Sequence, residues 1–424
     1  MAVALHAARC AVVMLCGLAA VACGGGGKST LAGSSSSSSS SGGSSSGSSS
    51  SGASNVVSAV IDAGPTGANN NVNEPFTTVT VCVPGSSTDC TTIEHIQVDT
   101  GSSGLRILAS LIPASMTLPP QSATDGNALA ECFVYADMTY NWGPIVTANV
   151  QIGGEKAANL PVQLISVATS PAIPANCANS GTPINTVATL SANGILGVSP
   201  FAQDCGTNCA SDYNGFYYSC TSTECLPIAV PTTSQVPNPI TKFTTDNNGL
   251  IVDLPSVPEA GAASLTGSLI FGIGTESNNA ASGLTIVPLD STASFTAVYR
   301  GQTLGDSIID TGSNGWFFDD TTIAQCTGSA DLAQFYCPPS AVALSATIEG
   351  VDTTSAPVRF TIGNYSVQSA ANPTFVVFAT LGGTNSDTSS FDFGLPFYMG
   401  RRVYHVIEGD VVDTNTGPFI AFAP

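Results

Sequence analysis

The sequence predicts an all-β protein of two related lobes with a cleft between them, and three observations carry that prediction. Short runs rich in Val, Ile, Phe and Thr are broken throughout by Asn, Asp, 43 Gly and 26 Pro, the punctuation of strands and turns. No long stretch shows a sustained helical period capped at both ends. One four-residue signature occurs twice, as Asp99-Thr100-Gly101-Ser102 and Asp310-Thr311-Gly312-Ser313.

The chain has 424 residues, enough for two or three average domains or one large two-lobed unit. Residues 1–22 read as a signal peptide: Arg9 gives a weakly positive start, and Ala11 to Ala22 form an apolar core too short to span a bilayer. Ala20-Val21-Ala22-Cys23 resembles a bacterial lipobox, with Ala20 where Leu is commoner. The resemblance implies that Cys23 is acylated and becomes the first mature residue, anchored in the lipid bilayer; plain secretion is the other reading. Gly24, with no Asp beside the Cys, resembles the outer-membrane sorting pattern and places the protein in the bacterial cell envelope.

Residues 24–54 are almost entirely Ser and Gly. They bury no apolar surface, so they are expected to form a flexible tether, with an r.m.s. span of roughly 30 Å. The run Ala22 to Ser29 nearly spells a phosphate-binding loop, but that motif needs a buried strand before it and a helix after it. Here a signal peptide precedes it and polyserine follows.

The net charge of −20, from 9 Lys+Arg against 29 Asp+Glu, excludes a basic nucleic-acid surface. It is equally compatible with a fold that tolerates acid and with an acidic secreted protein of no special pH habit. Of 13 Cys, Cys10 and Cys16 leave with the signal and Cys23 takes the lipid, leaving ten. An even number beyond an export signal implies disulfides. Local pairing predicts Cys82–Cys90, Cys326–Cys337 and two bridges within 205–225. A four-thiolate zinc site at Cys205, Cys209, Cys220 and Cys225 is the rival.

Each copy of the signature follows an apolar strand and opens a tight turn; the copies lie 310 − 99 = 211 residues apart. One copy would be an ordinary turn. A second repeat accompanies them: Asn193-Gly194-Ile195-Leu196-Gly197 follows Asp99, and Phe391-Asp392-Phe393-Gly394-Leu395-Pro396 follows Asp310. Each fits a strand passing behind the Asp-bearing turn.

These segments make the chain resemble the pepsin-like aspartic peptidases from about Phe76 to Pro424. Gly267 to Gly272 resembles that family's inter-lobe strand, and Arg402 to Ile407 its late strand. The lipoprotein wrapping also resembles a family of proteobacterial proteins of about this length, described only as a domain of unknown function. The resemblance implies a bilobal fold of two β-barrel-like lobes, at 55–275 and 276–424. It implies an endopeptidase in which Asp99 and Asp310 share one proton and activate a water, with no cofactor or metal. Ser102 and Ser313 would bond the outer carboxylate oxygens, Thr100 and Thr311 would brace the two turns, and Gly101 and Gly312 would allow close approach. Tyr135 would sit on the flap over the cleft, although a β-strand Tyr is more often simple packing. The expected partner is a peptide or protein substrate, met by a monomer.

Three departures from the family are visible: Arg106 where Trp is common, Pro396 where Asp is common, and Ala136-Asp137-Met138 in place of a Gly-rich flap turn. No basic pro-segment is present; polyserine occupies its place. His95 and His405 have no partnered nucleophile or ligand spacing, which argues against a Ser-His-Asp site or a zinc hydrolase. Trp142 and Trp316 read as core. The competing function is a pepsin-like scaffold that binds peptides or a surface partner without cleaving them.

Overall fold

The computed structural model describes residues 54–69, 71–167 and 171–423. The signal peptide, Cys23 and all of the tether before Ser54 lie outside the described residues. Among the described residues, strands dominate, and no helix is long and apolar enough to cross a membrane.

The strands follow from period-two patterning. In Ser355–Ile362, Ala356, Val358, Phe360 and Ile362 point inward while Ser355, Pro357 and Arg359 are exposed. Val342–Glu349 pairs with it along its whole length, so one face of the hairpin is buried. A sixteen-stranded sheet and a seven-stranded sheet carry most of the chain. Within the larger sheet, Val56–Ile61, Leu265–Phe271, Gly249–Leu254, Arg401–Val406, Phe419–Phe422 and Thr285–Pro288 are consecutive neighbours. Strands from both sides of residue 275 thus share one sheet, which joins the two halves of the chain.

Each Asp-bearing turn is built the same way. Cys90–Asp99 runs parallel to Gly194–Val198, with Asp99 opposite Gly197. Ser103–Leu108 returns antiparallel along the other edge of that strand. In the second copy Gln302–Ile309 runs parallel to Asp392–Phe393, and Trp316–Phe317 returns antiparallel to it. The strand passes behind the turn so closely that a Cβ on Gly197 would come within 2.8 Å of the Ser102 hydroxyl. The repeated glycine behind each motif therefore has a steric cause.

The Cys-rich stretch from 201 onward extends the strand that precedes Tyr135. Tyr217–Cys220 pairs with Ala128–Val134, and Cys225–Pro227 adds a further strand outside it. Five disulfides form: Cys82–Cys90, Cys132–Cys177, Cys205–Cys209, Cys220–Cys225 and Cys326–Cys337. The four thiols offered to zinc are thus consumed in two local bridges. Both tryptophans are core: Trp316 stacks on Phe360 at 4.8 Å, and Trp142 meets Tyr218 edge-on at 5.2 Å.

Candidate active site

The two motifs meet across the chain. The Thr100 backbone N–H donates to the Thr311 hydroxyl, and the Thr311 N–H donates to the Thr100 hydroxyl, each at 3.0 Å. This reciprocal pair fixes the two turns against each other. The Thr311 hydroxyl then donates to the Val98 carbonyl at 2.7 Å. The Thr100 hydroxyl does not repeat this bond; it lies 3.0 Å from the Tyr398 hydroxyl, which lies 3.0 Å from His405 Nε2. Burial holds His405 down at about 3, so its ring is neutral at physiological pH.

Asp99 and Asp310 are both buried. Gly101 N–H donates to Asp99 Oδ1 and Gly312 N–H to Asp310 Oδ1, both at 2.8 Å. A Cβ on Gly312 would stand 2.7 Å from Asp99 Oδ1 and 3.1 Å from Asp310 Oδ2. Only glycine lets the second turn lie against both carboxyls. Gly101 and Gly312 are also the least buried positions of the two motifs.

The symmetry breaks at the serines. The Ser102 hydroxyl donates to Asp99 Oδ2 at 2.5 Å, as expected. The Ser313 hydroxyl does not bond Asp310: it donates to Asp392 Oδ2 at 2.5 Å. The physical reason is the residue behind the turn. Asp392 occupies the register position of Ile195 in the first lobe, each standing opposite the residue two before its motif Asp. Ile195 offers no acceptor, whereas Asp392 does. Asp310 Oδ2 and Asp392 Oδ1 are left buried without a donor.

Burial, then the Asp99 and Asp392 charges, hold the Asp310 carboxyl well above the usual carboxylate range. Burial, opposed by the Ser313 bond and aided by Asp99, pushes Asp392 up to about 7. Protonation of Asp310 is thereby favoured, and Asp99 lies within hydrogen-bonding reach of it. Asp99 has a donor on each of its oxygens, whereas Asp310 has one on Oδ1 alone.

Tyr135 directly follows the Ala128–Val134 strand, and its ring is buried against Phe133 at 4.8 Å while its hydroxyl donates to Asn141 at 2.7 Å. In the turn that follows, Ala136 and Met138 are exposed. Arg106 is fully buried below. Its Nη2 donates to Glu131 at 2.7 Å and Asp204 at 3.2 Å, its Nη1 to the Ser103 carbonyl at 2.7 Å, and it lies 3.6 Å over the Phe133 ring. One cation thus ties the Asp99 segment, the flap strand and the Cys-rich excursion together. Burial and Glu131 hold Asp204 well above the usual range.

Sequence reasoning placed Asp99, Asp310 and both threonines together, but missed Asp392, Tyr398 and the Arg106 anchor. The one signal for Asp392 is an acid inside the apolar run Phe391-Asp392-Phe393. His95 is a partly exposed partner of Asp62 at 3.3 Å and takes no part in the site. A separate cavity of about 460 Å³, lined by Phe201, Asp204, Thr207, Thr232, Ser291 and Glu408, includes no motif residue.

A family described as "Protein of unknown function (DUF3443)" matches residues 51–422. No curated protein sequence is significantly similar to the chain. A solved aspartic proteinase from Irpex lacteus is similar at 16% identity and a TM-score of 0.44, over 87% of this chain and 96% of that one.

Proposed function

The chain belongs to that family, and we propose that it is an aspartic endopeptidase using Asp99 and Asp310. The observation that carries this reading is the pair of buried carboxyls from duplicated turns, braced by reciprocal threonine bonds, with burial and the Asp99 charge opposing ionisation of Asp310. Such a pair supplies a base and an acid at once. Asp99 takes a proton from a water as that water attacks the scissile carbonyl carbon. Asp310 gives its proton to the carbonyl oxygen, which becomes the second hydroxyl of a tetrahedral gem-diol. Collapse passes a proton to the amine as the C–N bond breaks, and the carboxyl product retains the water oxygen. Neither a metal nor a covalent enzyme intermediate enters these steps.

The acylated Cys23 and the Ser/Gly tether would hold this body at the bacterial envelope, within reach of peptide or protein substrates. A Cys23→Ala variant that still fractionates with membranes would contradict the anchor.

One observation favours a second reading, a scaffold that binds peptides without cleaving them: the Tyr135 hydroxyl on the flap is already taken by Asn141. Incubating the purified protein with denatured casein between about pH 3 and 6, where such pairs share a proton, separates the two. New peptide termini that vanish in Asp310→Asn support the peptidase. Peptide binding with no new termini supports the scaffold.

A further inference from the structure

The second lobe carries an acid where the first lobe carries Ile195, and that acid lies against the reactive pair. Asp392 is buried, on a strand hydrogen-bonded on one side to the strand leading into Asp310 and on the other to Trp316–Phe317. The ionisable groups that face it are few. The Gln302–Ile309 strand brings Asp306, which is bonded at the surface to Ser389. Trp316–Phe317 brings none. The turn brings Asp310 itself, and across the brace lies Asp99. Among the described residues the ion pairs involve neither Asp310 nor Asp392.

We propose that Asp392 is a positioning residue and the third carboxyl of the site. It takes the Ser313 hydroxyl that would otherwise bond Asp310 Oδ2, and its own negative charge opposes ionisation of Asp310. The consequence rests on the peptidase reading. Three carboxyls without a cation share two protons in the active form, leaving one negative charge for the base. When that form loses a proton, Asp392 supplies it before Asp310 does, since Asp310 stands against both of the other carboxyls with no donor on Oδ2, while the Ser313 hydroxyl bonds Asp392. The ionised Asp392 then holds the last proton on Asp310 more tightly. The acid–base pair therefore stays singly protonated to higher pH than a site with only two carboxyls.

The test uses two variants and two readouts. Asp392→Asn keeps the size and an acceptor for Ser313 but removes the charge. Asp392→Ile installs the residue of the first lobe and frees Ser313 for Asp310. With a fluorogenic peptide, the alkaline limb of kcat/KM is expected to move down by about one pH unit in Asp392→Asn, and further in Asp392→Ile. In parallel, ¹³C-carboxyl NMR of the full chain follows the site directly. A resonance assigned to Asp392 by its loss in Asp392→Asn should titrate near neutrality and shift Asp310 as it does so. A limb unmoved in both folded variants overturns the proposal while leaving the peptidase intact. Coupled titration without Asp99-dependent cleavage keeps the three-carboxyl site and overturns the peptidase. An Asp392 resonance that titrates in the ordinary carboxylate range, near pH 4, overturns the proposal whatever the activity.

Discussion

Replacing Arg106 with Met is the sharpest probe of how the flap is held. The methionine keeps the unbranched stem but removes the guanidinium from among Glu131, Asp204, the Ser103 carbonyl and the Phe133 ring. Arg106, Glu131 and Asp204 have fully buried side chains. Stripping the cation from a buried pair typically costs about 3–5 kcal/mol. That is a large share of a typical folding free energy of about 5–15 kcal/mol. The stranded carboxyls escape by binding protons, which is easier in acid, so the loss should be larger at pH 7 than at pH 4. Urea unfolding followed by Trp142 and Trp316 fluorescence at both pH values measures this. Adding Glu131→Leu should recover part of the stability, because it removes one stranded carboxyl and with it the charge that opposes ionisation of Asp204. A loss below about 1 kcal/mol, the scale of an exposed pair, or an equal loss at both pH values, would refute the reasoning.

Three further outcomes can be checked independently. Tyr398→Phe removes the hydroxyl between Thr100 and His405, leaving two buried polar groups short of a partner; at about 1–3 kcal/mol per group, thermal or urea unfolding should register it. Glu74 is buried with Oε2 unpaired and is pushed up to about 8 by burial. Its folded value exceeds its unfolded one, so its contribution is fully present below about pH 4.5 and is lost as pH rises through about 8. Glu74→Gln should flatten the fall in unfolding free energy across that window; an unchanged slope counts against it. Removing Cys132–Cys177, which closes a separation of 45 residues, should cost about 4 kcal/mol on the chain-entropy scale, read from the denaturation midpoint of the paired Ala variant.

What the sequence made legible is what local pattern or duplication encodes. The all-β class follows from period-two burial, as in Ser355–Ile362, and the four close Cys pairs from their short separations. The Asp99 and Asp310 turns could be paired because each carries its own strand, turn and glycine. Contacts that the second lobe remade were not legible. Ser313 finds Asp392 79 residues away, and Thr100 finds Tyr398 298 residues away. Neither distance leaves a mark in composition or period. Arg106 stood out as a departure, but one buried cation does not announce which carboxyls will surround it. Tyr135 drew notice only through the family resemblance; its burial against Phe133 depends on packing set by the Cys-rich excursion behind it.

In the proposed peptidase Asp99 and Asp310 act as one acid–base pair on a peptide bond. The most direct test is kcat/KM for peptide cleavage by the unaltered protein, Asp99→Asn and Asp310→Asn, with folding of each variant checked by its unfolding transition. A loss of at least about 10²–10⁴-fold is expected in either single variant, and no greater loss in the double variant, because the two groups work as a unit. Cleavage that survives either substitution in a folded protein would contradict it.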